Sequence, residues 1–299
     1  MAAEEKRPDL ALFTDLDGTL LQSDRKASIR SLETLKTLGK RNIWRAVVTG
    51  RSHMSARAVL SDSFPIDFLI TSSGVGIFDF RDQTLVESHS LSAGDVRRVT
   101  GYLVESGYDF MVHAPVPENH TFEYWEQSEH NPDFVRRRQN NAEHCRRLNP
   151  SCPGIGRASQ FLVVCPTEAD PWRTHDALSN ALEDLSVIRT TSPSDHQSTW
   201  FEIFPGHVSK ARSAAKLCER LGADAGRSAA IGNDYNDSDM LHWCGFPFVV
   251  QNAPEPLRAR FPVVSDHNAD GFSEAVQRWL GGVAPGSYST SSSQEDARD

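Results

Sequence analysis

Leu10-Ala11-Leu12-Phe13-Thr14-Asp15-Leu16-Asp17-Gly18-Thr19-Leu20 passes from an unbroken apolar run to two carboxylates and a glycine. An apolar run of this length reads as a strand buried on both faces, and Gly18 marks the turn that ends it. A strand buried on both faces belongs to a parallel sheet sandwiched between helices. The neighbouring segments fit that reading. Ser28–Lys40 spaces Ile29, Leu32, Leu35 and Leu38 three apart along one side of a helix. Ile43–Val48 and Phe68–Thr71 are further apolar strands, with a helix expected over Ser52–Leu60 between them. Strand, helix, strand, helix, strand predicts an α/β class chain with a Rossmann-like parallel sheet.

After about Gly76 the rhythm breaks into short strands: Gly76–Phe80, Tyr108–His113, Gln160–Cys165, Ser186–Thr191 and Thr199–Phe204. A helix is expected over Glu168–Leu185, and Pro115–Pro153 is polar and arginine-rich. The α/β alternation then resumes with a helix at Ser209–Leu221, strands at Ser228–Ile231, Phe246–Val250 and Pro262–Val264, and a closing helix at Gly271–Leu280. One sheet interrupted by an insertion explains this order better than two consecutive domains. The expected division is a discontinuous core of 8–76 and 206–283, an inserted α/β cap of 77–205, and a Ser-rich disordered tail of 284–299.

Lys and Arg number 31 against 40 Asp and Glu, a net charge of −9, which argues against a nucleic-acid partner. No apolar run is long enough for a membrane span, and the charged N-terminus lacks a signal-peptide core. A cytoplasmic protein without membrane partners is expected, a monomer or small homo-oligomer. The five cysteines show no CxxC spacing and are read as reduced, small apolar residues.

Four segments carry candidate chemistry. Asp15 and Asp17 share one side of an extended segment where a parallel strand ends, the place where open α/β sheets bind ligands. Two such carboxylates repel unless a cation or proton lies between them. Thr49-Gly50-Arg51 offers a hydroxyl and backbone N–H groups to an anion at a helix start. Lys210 opens a helix against the dipole trend, which favours a task such as holding an anion. Asn233, Asp234, Asn236 and Asp237 form a dense set of oxygen donors after another strand, suited to Mg²⁺ rather than zinc. Each has an ordinary alternative: an Asp-Gly turn, a Ser/Thr cap, a solvated lysine, an Asx cap.

In the order DxDGTL, TGR, Lys, GNDYND, these segments resemble the haloacid dehalogenase superfamily of phosphohydrolases, type IIB capped, in the Cof-like sugar-phosphatase branch. Ile70-Thr71-Ser72-Ser73-Gly74, Glu202-Ile203, Asn252-Ala253 and Asp270-Gly271 add to the likeness, which spans about residues 10–281. The resemblance implies a Mg²⁺-dependent phosphatase of a small phosphorylated metabolite: a sugar phosphate, or a phosphorylated glycoside such as a glycosyl-glycerate phosphate. Asp15 would be the nucleophile and Asp17 the general acid/base. Thr49, Gly50, Arg51, Ser73 and Lys210 would bind the phosphoryl group. Asp15, Asp17 and the 233–237 cluster would hold the metal. The family's usual GDxxND places an acid where this chain has Asn233, so the ligand is Asn233 itself or Asp234, with Asp237 direct or behind it; Asp234 and Asp237 are preferred. Ser73 stands where the family often has Asn. Alternatives are a phosphomutase-like transferase and a non-catalytic binding protein on the same scaffold. In the cap, His113, His120, Trp125, Arg157, Gln160 and Trp200 are candidate leaving-group contacts. Arg136–Arg138 and Arg146–Arg147 read as a solvated helix face.

Overall fold

The computed structural model describes residues 9–128, 130–166, 169–192, 195 and 197–282. The expected tail of 284–299 lies outside the described residues. In chain order the elements are β1 (Ala11–Thr14), α1 (Ile29–Lys40), β2 (Trp44–Val48), α2 (His53–Arg57), β3 (Phe68–Thr71), β4 (Gly76–Asp79), β5 (Thr84–Ser88), α3 (Ala93–Glu105), β6 (Phe110–His113), β7 (Phe122–Trp125), α4 (Pro132–Asn140) and β8 (Cys145–Arg147). They continue with β9 (Gln160–Cys165), α5 (Pro171–Ala181), β10 (Leu185–Thr191), β11 (Thr199–Pro205), α6 (Lys210–Leu221), β12 (Ala229–Gly232), α7 (Ser238–Trp243), β13 (Phe246–Val250), α8 (Glu255–Arg258), β14 (Val263–Val264) and α9 (Gly271–Gly282).

The first sheet runs β14-β13-β12-β1-β2-β3-β4-β5. Every pairing from β14 to β3 is parallel. Successive residues of β1 explain why that strand does not alternate in hydropathy. Leu12 packs beneath α1 and α9 with Leu35, Leu38 and Trp279, whereas Ala11 and Phe13 pack beneath α6 and α7 with Leu217 and Met240. Both faces are dry, so both residue parities must be apolar. The α/β core expected from the sequence is therefore present.

The expected core–cap boundary after residue 76 is corrected by the pairing. β4 and β5 form an antiparallel ribbon on β3, so residues 76–88 complete the first sheet. The second sheet, β10-β11-β9-β6-β7-β8, draws on Phe110 to Pro205. Its β9, β11 and β6 pair antiparallel, with His113 opposite Gln160. α3 and α5 cover one face through Val96, Val99, Leu103 and Leu178. On the other face Phe134 of α4 packs with Met111, Phe122, Leu162, Val164 and Trp200. By the two-residue period of a strand, His113, Gln160 and Glu202 lie on this second face.

Candidate active site

β1, β2, β3 and β12 end side by side, and the residues that follow each strand form one cluster. Asp15 follows β1. Its Oδ1 accepts a hydrogen bond of 2.6 Å from Lys210 Nζ, although the two residues are 195 positions apart. Lys210 is the first residue of α6, capped by Ser209, and is fully buried. Its ammonium also donates to Asp237 Oδ1 at 2.6 Å. Burial pulls the Lys210 pKa down, but the two carboxylates outweigh burial and hold it above the ordinary value. Burial, with Asp237 nearby, pushes the Asp15 carboxyl up to about 7 while Lys210 opposes the shift.

Asp17 points the other way along the same loop. Arg51 grips it with a two-pronged ion pair, Nε to Oδ2 and Nη2 to Oδ1, each 2.6 Å. Gly18 makes the turn that follows Asp17 at φ +70°, and a Cβ there would come within 2.8 Å of the Asn233 amide. That position combines a left-handed backbone with close approach, which suits glycine. Thr49 is buried, its hydroxyl accepting from Arg51 N, and the Thr49 carbonyl accepts from Ser73 N. Ser72 and Ser73 both take positive φ, 46° and 53°, a conformation L residues seldom adopt outside functional loops. Ser73 Oγ donates to Glu202 Oε2 at 2.9 Å. Gly74 follows at φ +116°, where a Cβ would meet the Ser209 carbonyl at 2.6 Å.

The 233–237 turn sorts its members, and Asp234 and Asp237, the preferred metal ligands, are both engaged by protein partners. Asp237 is buried: Oδ2 accepts the backbone N–H groups of Asn233 and Asp234, and Oδ1 is taken by Lys210. Asp234 turns to the second sheet, where it accepts from Thr190 Oγ1 and from both the N–H and hydroxyl of Thr191, as well as from Tyr235 N. Asn233 is the one that faces the first aspartate. The inward atom of its amide lies 3.2 Å from Asp15 Oδ2, 3.2 Å from the Asp17 carbonyl oxygen and 3.1 Å from Thr19 Oγ1. Without a cation that atom is best read as the nitrogen, donating to oxygens. With the oxygen turned inward, it stands 3.2 Å from each of the Asp15 and Asp17 oxygens, close to the edge length of an octahedron whose metal–oxygen bonds are about 2.1 Å. Asp15, the Asp17 carbonyl and Asn233 thus fit a small hard cation. Among the described residues no cluster of three or more His, Cys, Asp or Glu forms a metal cage, because this donor set has one carboxylate, one carbonyl and one amide.

The chain matches the model of the haloacid dehalogenase-like hydrolases over residues 12–276. It belongs to that family. This hydrolase is 26% identical to the HMP-PP phosphatase of Klebsiella pneumoniae over 280 residues, covering 91% of this chain and 95% of the relative. It is 21% identical to a Bacillus subtilis 5-amino-6-(5-phospho-D-ribitylamino)uracil phosphatase, covering 94% and 100%. In fold it resembles the subclass IIB sugar phosphatase BT4131, with TM-score 0.71, 15% identity and coverage of 91% and 99%. It also resembles the phosphatase BT1666 of Bacteroides thetaiotaomicron, with TM-score 0.70, 19% identity and coverage of 94% and 98%. No helix among the described residues is long and apolar enough to cross a membrane.

The candidate leaving-group contacts separate in the same way. His113, Gln160 and Trp200 lie on the face of the second sheet that carries Glu202. Trp125 packs on the opposite, α3-covered face, and Arg157 is exposed. His120 stacks edge-on against His144. Of the arginines read as a solvated helix face, Arg136, Arg146 and Arg147 are exposed, the last two on β8 rather than on a helix, whereas Arg137 is half-buried with its guanidinium 4.6 Å from the Trp200 ring centroid. Sequence reasoning did not name Glu202 as a site residue, and gave Arg136–Arg138 a part in recognising a second anionic group only as the lesser alternative to a solvated face. For Glu202 the signal was a lone acid in an otherwise apolar strand.

Proposed function

We propose that this hydrolase is a Mg²⁺-dependent phosphatase of a small phosphorylated metabolite that works through an aspartyl-phosphate on Asp15. The observation that carries the reading is the buried Asp15–Lys210–Asp237 chain beside the Asp17–Arg51 pair, assembled from segments nearly 200 residues apart. Asp15, the Asp17 carbonyl and Asn233 would hold the cation, which neutralises charge between the phosphoryl group and Asp15. An Asp15 oxygen attacks phosphorus and the bond to the leaving oxygen breaks, while the Asp17 carboxyl gives that oxygen its proton. Water then attacks phosphorus and Asp17 takes its proton. The bond to Asp15 breaks, leaving inorganic phosphate and a free carboxylate. Thr49, Gly50, Ser73 and Lys210 surround the transferring group and stabilise its charge.

Arg51 has a specific part in this reading. While it grips both oxygens of Asp17, that carboxyl group is turned to the guanidinium and away from a leaving oxygen. Incoming phosphoryl oxygens offer the guanidinium fork a second partner of the same geometry. As Arg51 turns to them, it releases Asp17 to face the leaving oxygen. The core of about 8–88 and 206–282 supplies this chemistry, and the second sheet with its helices supplies leaving-group contacts.

The test is release of inorganic phosphate from 4-nitrophenyl phosphate and a panel of phosphorylated metabolites with Mg²⁺. Asp15→Asn abolishes turnover and the trapped acyl-phosphate. Substantial turnover by Asp15→Asn overturns the nucleophile assignment.

A further inference from the structure

Three consecutive residues, Ser72, Ser73 and Gly74, take positive φ of 46°, 53° and 116°. Glycine adopts such a backbone freely, but a serine holds it only where surrounding bonds over-determine it. Those bonds divide by origin. The backbone of the turn is held by the core. Ser72 N donates to the Arg51 carbonyl and Ser73 N to the Thr49 carbonyl, both at 2.9 Å, and Ser213 Oγ donates to the Gly74 carbonyl at 2.9 Å. The two serine side chains are held by the second sheet. Asn119 Nδ2 donates to Ser72 Oγ at 2.6 Å, and Ser73 Oγ donates to Glu202 Oε2.

Asn119 lies in the loop between β6 and β7 and is 2% exposed. Two contacts seat that loop. His113 Nδ1 lies 2.8 Å from the Asn119 carbonyl oxygen, which can only accept, so the ring nitrogen carries the proton. Val116 is buried with the core cluster, and a Cβ on Gly76 would lie 2.9 Å from its Cγ1. The loop therefore meets Ser72 already fixed. The Asn119–Ser72 bond pins one end of a turn whose backbone donors fix the carbonyls of Thr49 and Arg51. Those two residues flank Gly50, in the segment that the phosphatase reading gives to the phosphoryl group, and Asn119 acts on that segment through Ser72.

We propose that Asn119 is a positioning residue for phosphoryl transfer: from the β6–β7 loop it fixes the left-handed Ser72-Ser73 turn, and through it the Thr49–Arg51 segment. This part rests on the phosphatase reading and deepens it. A residue outside the core then serves the side of the reaction that stabilises phosphoryl charge, not the side that holds the leaving group.

The consequence is a loss that ignores the leaving group. In the full-length enzyme with Mg²⁺, Asn119→Ala is expected to lower kcat/KM about 10-fold, the scale of one buried hydrogen bond. The factors for 4-nitrophenyl phosphate and glucose 6-phosphate are expected to agree within about 2-fold. Inhibition by orthovanadate, which carries no leaving group, weakens about 10-fold as well. The vanadate comparison stands whichever ester is turned over. Ser72→Ala breaks the same bond from the other side and has the same effect, so the double variant falls no more than about 2-fold below either single one. A loss confined to glucose 6-phosphate overturns the proposal, because Asn119 Oδ1, without a partner among the described residues, would then be binding the leaving group. A lowered Tm with unchanged vanadate inhibition overturns it in favour of a bond that serves folding alone, and so do multiplying effects in the double variant. Hydrolysis of neither ester sinks the phosphatase reading by itself. Amide exchange over 72–75 then decides the positioning: faster exchange in Asn119→Ala supports it, and unchanged exchange overturns it.

Discussion

Replacing Lys210 by methionine tests the assembly of the site through folding rather than turnover. The ammonium is completely buried and donates to Asp15 Oδ1 and Asp237 Oδ1, each at 2.6 Å. Methionine nearly fills the volume, so the packing loss is small. What remains is two buried carboxylates without their cation, and removing one partner of a buried ion pair costs about 3–5 kcal/mol. Against a total stability of about 5–15 kcal/mol this is a large fraction. At about 2–4 °C per kcal/mol it lowers Tm by about 6–20 °C. Urea unfolding followed by tryptophan fluorescence, in buffer with EDTA so that no metal substitutes for the lysine, measures the loss. A second arm sharpens the reasoning. Asp237→Asn in the Lys210→Met background removes one of the stranded charges, and about 1–3 kcal/mol of coupling is expected in the double-mutant cycle. A Lys210→Met protein within about 1 kcal/mol of the unmutated one, with no coupling to Asp237, would refute the argument that one lysine is clamped between two carboxylates.

Asn233→Asp adds a charge to the oxygen set, so Mg²⁺ measured by calorimetry should bind about 10-fold tighter or better; an unchanged affinity removes Asn233 from the metal site. Asp234→Ala strips the second sheet of its bonds to the 233–237 turn, a loss of about 1.5–3 kcal/mol for hydrogen bonds to a charged acceptor. Faster amide exchange in both 185–191 and 233–237 is the expected result, and unaltered exchange in either segment counts against the clasp. Burial raises the Glu202 pKa above its usual value, despite the opposing pull of Ser73 and Lys210. The folded state then keeps a proton the unfolded state releases, so this group makes stability fall as pH rises from about 4.5 through the raised value. Glu202→Gln should flatten that part of the stability–pH curve, and superposable curves would contradict the assignment.

The core was legible in the sequence because its strands are buried on both faces and its helices carry regular apolar spacing. Leu12 and Phe13 point to opposite faces and both meet apolar neighbours, a pattern that reads directly as a sandwiched parallel strand. The α3 helix was equally available: Ser92 and Asp95 form a capping box ahead of Val96, Val99 and Leu103, though the reading passed over it. β4 was read as the strand Gly76–Phe80, but β5 and its pairing were not, because Arg81-Asp82-Gln83 turns the chain with Gln83 at φ 56° and no Asn-Gly or Gly signal. Asp15, Asp17, Thr49, Arg51 and Lys210, which the structure brings together, were named as candidates from motif order and the resemblance it carries. The division of labour within 233–237 could not be read that way. Asn233, Asp234 and Asp237 differ in which backbone and which sheet each faces, and that depends on a turn of a few residues whose direction only the packed second sheet settles.

The charges in that turn explain why an amide can stand where the family usually has an acid. With both carboxylates ionised, as a bound cation would require, Asp15 and Asp237 bring two negative charges and Lys210 one positive, while the Asp17–Arg51 pair cancels. The inner cluster is therefore short of one positive charge. A further carboxylate at 233 would deepen that deficit and draw a divalent cation strongly even without substrate, leaving the loaded site neutral. With Asn233 the free site attracts the cation less, but the loaded site carries one net positive charge toward an arriving phosphoryl dianion. Coulomb interactions at these separations are worth several kcal/mol at an effective dielectric of about 20. On the proposed Mg²⁺ reading, weaker metal binding in the resting enzyme and stronger attraction for the phosphoryl group in the loaded one would be two consequences of a single substitution. Linkage requires that metal and phosphate then each tighten the binding of the other.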